Sequence, residues 1–249
     1  MKIIAMANQK GGVAKTTSVY NLAWLKAQEG NKVLMIDLDP QATLTIGCGF
    51  KAGEVQPSIC QMLGRPTQDP YACGYPVKAA GLDNLYLIPS DIELAATELN
   101  MTGRMARERI LAKQLAKFNG AFDYIFIDCP PQLSILTLNA LVAATDVIIP
   151  TLAQYYSYRG LQSLRSTIDS VRDDFNANLK LDGYIVTMYE RIIRDQRDLL
   201  AVLAKDNTVL GTVKKSVDAY RNVLDCRPVV MSMPSSDVTK DNKAIAAKI

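Results

Sequence analysis

Between the apolar run Ile3-Ile4-Ala5-Met6-Ala7 and a helical stretch from about Thr16 to Glu29, the chain carries Asn8-Gln9-Lys10-Gly11-Gly12-Val13-Ala14-Lys15-Thr16-Thr17. A glycine-bearing turn joining a strand directly to a helix aims backbone N–H groups, and the positive end of the helix, at one point. That arrangement holds phosphate. Lys15 adds a point charge at the β/γ-phosphates, and the Thr16 hydroxyl is placed to ligate Mg²⁺. The segment departs from the pattern G-x-x-x-x-G-K-[ST], because Gln9 and Ala14 stand where its first and last glycines belong. Alanine fits at position 14 if its φ is negative, whereas a positive φ strains it.

The rest of the chain alternates in the same way. Gly30-Asn31 stops the first helix. Val33-Leu34-Met35-Ile36 is a second buried strand, and further short apolar runs are Leu85–Ile88, Tyr124–Ile127, Val147–Ile149 and Tyr184–Val186. Helical patterns around Ile92–Leu99, Arg107–Lys117 and Leu161–Val171 separate them. Short continuous apolar strands joined by helices predict an α/β fold: a mostly parallel central sheet with helices on both faces, as in P-loop NTPases. Residues 1–249 are expected to form one such domain, with Phe50 to Asp83 as an irregular excursion and a weakly helical tail over Lys243–Ile249. The first strand begins at once, so no N-terminal helix-turn-helix domain is expected, nor operator-specific binding.

Composition narrows the chemistry. Hydrophobic residues make up 49% and charged residues 21%, the balance of a soluble globular protein. No apolar run approaches the ~20 residues of a membrane-spanning helix, and no signal-peptide core is visible, so a cytoplasmic location is expected. The five cysteines are scattered without a C-x-x-C, and histidine is absent. His-based hydrolysis and zinc ligation thereby lack their usual residues, while metal–phosphate chemistry needs only Lys, Thr and Asp. The net charge of +3 permits nucleic-acid contact without requiring it.

Two carboxylate motifs follow predicted strands: Ile36-Asp37-Leu38-Asp39-Pro40-Gln41 and Ile127-Asp128-Cys129-Pro130-Pro131. Ligands of open α/β sheets bind at these strand ends. An Asp there holds the water shell of Mg²⁺; the alternative is that each Asp caps the helix that follows.

Lys10-Gly11-Gly12-Val13-Ala14-Lys15-Thr16-Thr17 resembles the deviant Walker A motif of the ParA/MinD group of ATPases. The resemblance implies that Lys10 reaches a partner subunit's ATP, and that Lys10 to Thr17 together with Met188 bind the nucleotide. It implies catalytic roles for Lys10, Lys15 and Asp39, the last positioning the attacking water. Thr16, Asp37 and Asp128 are implied at the metal, and Pro130-Pro131 in a switch segment. Leu87–Ala95, Leu136–Leu141, the turn from Tyr155-Tyr156 to Gly160, and Thr187-Met188-Tyr189 also look like the ParA branch. Val213-Lys214-Lys215-Ser216 replaces the Ile-Pro-Arg-Asn of many members.

The family's DNA surface lies in the C-terminal third. From Glu190 to Arg227 the chain has eight Lys or Arg against six Asp or Glu, so a solvated mixed-charge face competes with a DNA surface. Arg191, Arg194, Lys214, Lys215 and Arg221 are the DNA candidates. What the resemblance implies is an Mg²⁺-dependent ATPase that partitions DNA: a homodimer with ATP that binds non-specific double-stranded DNA, sits on the nucleoid, and answers to a ParB-type partner. A positioner of protein cargo shares the same chemistry. A MinD-type membrane ATPase needs a basic, bulky amphipathic tail, which the Ala- and Lys-rich C-terminus lacks. A reductase of nitrogenase-iron-protein type needs suitably placed cluster cysteines.

Overall fold

The computed structural model describes residues 1–64, 69–118, 120–206, 208–216 and 225–249, with side chains except at 155–159 and 206. Arg221 therefore lies outside the described residues.

Eight strands form one sheet: β1 (Lys2–Met6), β2 (Val33–Asp37), β3 (Tyr75–Pro76), β4 (Leu85–Ile88), β5 (Tyr124–Asp128), β6 (Asp146–Leu152), β7 (Lys180–Tyr189) and β8 (Val209–Lys214). Their order is β3-β4-β2-β5-β1-β6-β7-β8, and every pairing is parallel except the short antiparallel β3–β4 edge. Helices α1 (Lys15–Gln28), α2 (Thr43–Gly47), α3 (Ile59–Gly64), α4 (Leu94–Met101), α5 (Ile110–Leu115), α6 (Ile135–Ala143), α7 (Tyr155–Asp174), α8 (Arg194–Asp206), α9 (Val229–Ser232) and α10 (Asp237–Ala246) complete the described regular structure, with short 3₁₀ turns between.

Because strand side chains alternate, each apolar strand feeds two cores. Ile4, Met6, Met35, Leu87 and Phe126 pack with Val19, Leu22 and Trp24 of α1 and with Ile245 of α10. Ile3, Ala5, Leu34, Ile36, Ile125 and Ile127 face the other way, against Leu94, Leu111, Leu136, Leu141 and Leu164. Both sheet faces are thus covered by helices, as the unbroken apolar strands predict.

Some expectations need correction. The segment read as a turn from Tyr155 to Gly160 is helical and opens α7. The helix read over Arg107–Lys117 is α5 flanked by two 3₁₀ turns. Within Phe50–Asp83 lie α3 and β3. Val213–Ser216 includes the end of β8, a strand unread in the sequence, as was α8. The tail helix starts earlier than expected, at Asp237, where Ser236 accepts from the Thr239 N–H as its cap.

Candidate nucleotide-binding site

Strand register assembles the site. β1 lies between β5 and β6, and Met6 pairs with Asp128 while Asp37 pairs with Asp128 across β2–β5. The loop leaving β1 and the carboxylates ending β2 and β5 therefore meet at the C-terminal ends of the central strands.

The loop is shaped from behind. Asn8 Oδ1 accepts from the Lys10 N–H at 2.9 Å, and Asn8 Nδ2 donates to the Pro150 carbonyl at 2.6 Å. The Thr187 hydroxyl bonds the carbonyls of Val13 (3.1 Å) and Thr151 (3.2 Å), tying the loop to β6 and β7. Gly12 has φ +70°, and a Cβ added at Gly11 or Gly12 would meet nothing within 4 Å. Neither glycine is needed for packing; together they keep open space above a concave run of backbone, which suits an anion. Ala14 is left-handed, with φ +60°, so the strained alternative holds at this position, at a cost of roughly 1–2 kcal/mol. Its carbonyl accepts from the Ser18 N–H at 2.9 Å and starts α1.

Lys15 is 8% exposed, and its Nζ donates to the Lys10 carbonyl at 3.3 Å. Burial lowers its pKa, and the charge of Asp128 opposes that shift most strongly. Thr16 Oγ1 donates to Asp128 Oδ2 at 2.6 Å. Asp128 Oδ1 is buried with no hydrogen-bond partner among the described residues. Burial pushes this carboxyl well above the usual carboxylate range, and the neighbouring Asp37 adds to the rise. An orphaned carboxylate oxygen beside a threonine hydroxyl and a phosphate loop fits Mg²⁺ and its water shell.

Asp37 is fully buried. Its Oδ2 accepts from Thr45 N (2.8 Å) and Oγ1 (2.7 Å), and its Oδ1 accepts from Asp39 N at 3.2 Å. These bonds tie Asp37 to Thr45 inside α2, whose own N-cap, Ala42, makes no side-chain bond. Burial first, moderated by those Thr45 bonds, raises its pKa to about 6. Half-buried Asp39 accepts from the Gln41 N–H at 2.9 Å, while its carbonyl takes the Ser90 hydroxyl at 2.8 Å. Lys10 Nζ lies 2.8 Å from Gln154 Oε1 at the start of α7.

Beside the loop, α1, the ends of β7 and β8, and α10 enclose a cavity of about 150 Å³ that Ala14, Thr17, Thr187, Met188 and Val213 help to line. Met188 has φ +51° and stays partly exposed at its rim.

A family model described as an AAA domain matches residues 1–181. The sporulation initiation inhibitor protein Soj of Bacillus subtilis is 39% identical over 189 residues, which is 76% of this chain and 73% of Soj. The chromosome partitioning protein ParA of Caulobacter vibrioides is 35% identical over 210 residues, 83% of this chain and 75% of that one. The chain belongs to the ParA family of P-loop ATPases.

Not every relative has the same extent: the match to an uncharacterized protein of Mycobacterium tuberculosis, 39% identical, spans 62% of that protein's length. Among solved structures, a putative plasmid partition protein of Borrelia burgdorferi bound to AMPPNP superposes with TM-score 0.82 at 28% identity, covering 99% of this chain and 97% of that one. Cobyrinic acid a,c-diamide synthase of Mycobacterium smegmatis, with bound ADP and magnesium, gives TM-score 0.85 at 32% identity over 99% and 93%. No helix among the described residues is long and apolar enough to cross a membrane.

The ParA-type DNA candidates are less uniform than their spacing suggests. Lys214 Nζ is 2.6 Å from Asp237 and Lys215 Nζ 3.1 Å from Glu190, so both charges are held by neighbouring acids. Arg194 makes only a loose pair with Asp198, at 3.7 Å, and stays highly exposed, as does Arg191. Asn8, Thr45 and Gln154 also bond residues of the site and were not read from the sequence: Asn8 and Gln154 stand just beyond apolar strands, whereas Thr45 lies within α2.

Proposed function

We propose that this ParA-family protein binds Mg·ATP in the loop Lys10–Thr17 and uses it to switch between a monomer and a DNA-binding homodimer that partitions DNA. The observation that carries this reading is the Asp128 carboxylate beside an open phosphate loop, its Oδ2 taking the Thr16 hydroxyl while its buried Oδ1 is left without a partner among the described residues. Thr16 and Asp128 would hold the metal's shell, with Asp37 supporting from behind; bound Mg²⁺ would neutralise phosphate charge. The backbone N–H groups and Lys15 orient the β- and γ-phosphates. Asp39, on the rim and tied to Asp37, orients the attacking water. Lys10 exchanges its bond to Gln154 for the nucleotide of a second copy, and this contact makes closure depend on the γ-phosphate. A ParB-type partner then stimulates hydrolysis and release, at the nucleoid within the cytoplasm.

DNA retention measured with ATP, with ADP and without nucleotide tests this reading. Binding is expected with ATP alone, on unrelated sequences equally, with a log–log salt slope of about −0.9 per neutralised phosphate. Lys15→Ala should abolish both ATP binding and DNA retention. DNA binding that ignores nucleotide, or that prefers one sequence strongly, would contradict it.

A further inference from the structure

Helix α4 turns Leu94 and Met101 inward, both fully buried, as a helix covering a sheet should. Its outer side departs from that pattern. Ile92, Ala95, Ala96 and Leu99 recur there at helical spacing and all are exposed, Ile92 at 69% and Leu99 at 75%. Ile92 shares the face because the turn before α4 is already bonded as helix, the Ala95 N–H donating to the Ile92 carbonyl at 3.2 Å. Met105, just beyond the helix, is 97% exposed. Single exposed apolar residues are ordinary, whereas a continuous apolar stripe marks a surface that a partner covers.

Charge narrows what that partner is. On the helix Glu93 falls to one side of the stripe and Glu98 to the other, and neither makes an ion pair among the described residues. The chain carries a net charge of +3, yet it has no Lys or Arg from Ala79 to Gly103, where Asp83, Asp91, Glu93 and Glu98 stand. At its N-terminal end the stripe meets a cavity of about 310 Å³ that Pro40, Gln41, Gln56, Asp91 and Glu93 help to line. The Asp91 carboxylate is fixed there, accepting from the Glu93 N–H at 2.8 Å and the Ser58 hydroxyl at 3.1 Å. Such a surface repels DNA and anionic lipid. A symmetric contact with a second copy would set Glu93 and Glu98 against the same acids. What complements it is an apolar segment that bears positive charge.

We propose that the outer face of α4 is a docking surface for a basic amphipathic helix of a partner protein. Apolar residues of that helix, one turn apart, seat on Ile92, Ala95, Ala96 and Leu99. Its Lys or Arg side chains meet Glu93 and Glu98, and one long basic side chain enters the cavity with its stem along the Ile92 wall. The inference goes beyond the nucleotide switch, since the face uses none of the phosphate loop's residues. It nevertheless adjoins the site: Pro40 and Gln41 of the cavity follow Asp39, and the Ser90 hydroxyl, just before α4, donates to the Asp39 carbonyl at 2.8 Å.

Fluorescence anisotropy of the full chain with labelled amphipathic peptides of about four helical turns tests the proposal. The peptides pair Leu with Lys, Leu with Glu, or Ser with Lys. The Leu–Lys peptide is expected to bind about tenfold tighter than the other two, with Mg·ATP and without nucleotide. Ile92→Ser with Leu99→Ser should weaken it by about tenfold, and Glu93→Lys with Glu98→Lys should turn the preference toward the Leu–Glu peptide. Lys15→Ala should bind the Leu–Lys peptide as the wild type does, so failure of the nucleotide reading and failure of this one are told apart. Equal wild-type affinity for the three peptides, or a Leu–Lys affinity that neither pair of substitutions moves, overturns the proposal. So does light scattering in which Ile92→Ser with Leu99→Ser abolishes a dimer while no peptide binds, which gives the face to a second copy. Should the variants fail to fold, a photoreactive Leu–Lys peptide on the wild-type protein decides: cross-links within residues 92–105 support the proposal, and cross-links elsewhere overturn it.

Discussion

At the residue scale, the site concentrates strain and buried charge around the phosphate loop. Ala14 has left-handed φ where many phosphate loops carry glycine, so Ala14→Gly should stabilise the nucleotide-free protein by about 1 kcal/mol. In thermal unfolding that is a rise of about 2–4 °C for a chain of this size; a fall would show that the backbone relaxes at no cost. Burial of Asp37 makes stability depend on pH. Its folded pKa is raised from 3.8 to about 6, so its contribution to stability is full below 3.8 and is lost as pH rises through 6. Without nucleotide or metal, urea midpoints should decline over that window, and Asp37→Asn should flatten the decline. Asp128, shifted the same way by burial, leaves a residual slope. A wild-type midpoint that climbs across the window would contradict the assignment of Asp37 as a desolvated carboxyl. The loop and the three aspartates were legible in the sequence because each is contiguous with the apolar strand that positions it. Thr45 was not: it sits on α2, eight residues beyond Asp37, and meets that carboxyl only once the chain has folded.

At the element scale, the interior strands were legible and the margins were not. Continuous apolar runs mark β1, β2, β4 and β5, whose residues are buried on both faces. β8 is interrupted by Gly211 and half-exposed at the sheet edge, and β3 is two residues with a proline, so neither carries such a run. α8 has Leu199, Leu200 and Leu203 at helical spacing, but charged residues surround them and only Leu203 is fully buried. The same margin carries the DNA candidates, and there Lys214 bridges to Asp237 of α10 and Lys215 pairs with Glu190. Arg191→Ala with Arg194→Ala should make the salt slope of DNA binding shallower by up to roughly 2. Lys214→Ala with Lys215→Ala should do less to the slope and should lower thermal stability. The reverse ranking would place the DNA surface on β8 and not before α8.

At the scale of the whole molecule, the parallel sheet brings the loop, Asp37, Asp39 and Asp128 together at the C-terminal ends of its central strands, with Lys10 held against Gln154. The account turns on whether nucleotide moves that lysine to a second copy. Removing Asp39 leaves Lys10, Lys15, Thr16 and Asp128 in place, so ATP binding and closure should survive. Hydrolysis should fall by about 10²–10⁴-fold, the usual loss for a group that positions or activates water. Lys10→Ala should bind ATP as a monomer. Light scattering of Asp39→Ala and Lys10→Ala after size exclusion, with Mg·ATP and with Mg·ADP, is the most direct measurement. The account predicts a dimer for Asp39→Ala with ATP alone and a monomer for Lys10→Ala with either nucleotide; a monomeric Asp39→Ala with ATP, or a Lys10→Ala that still dimerises, would contradict it.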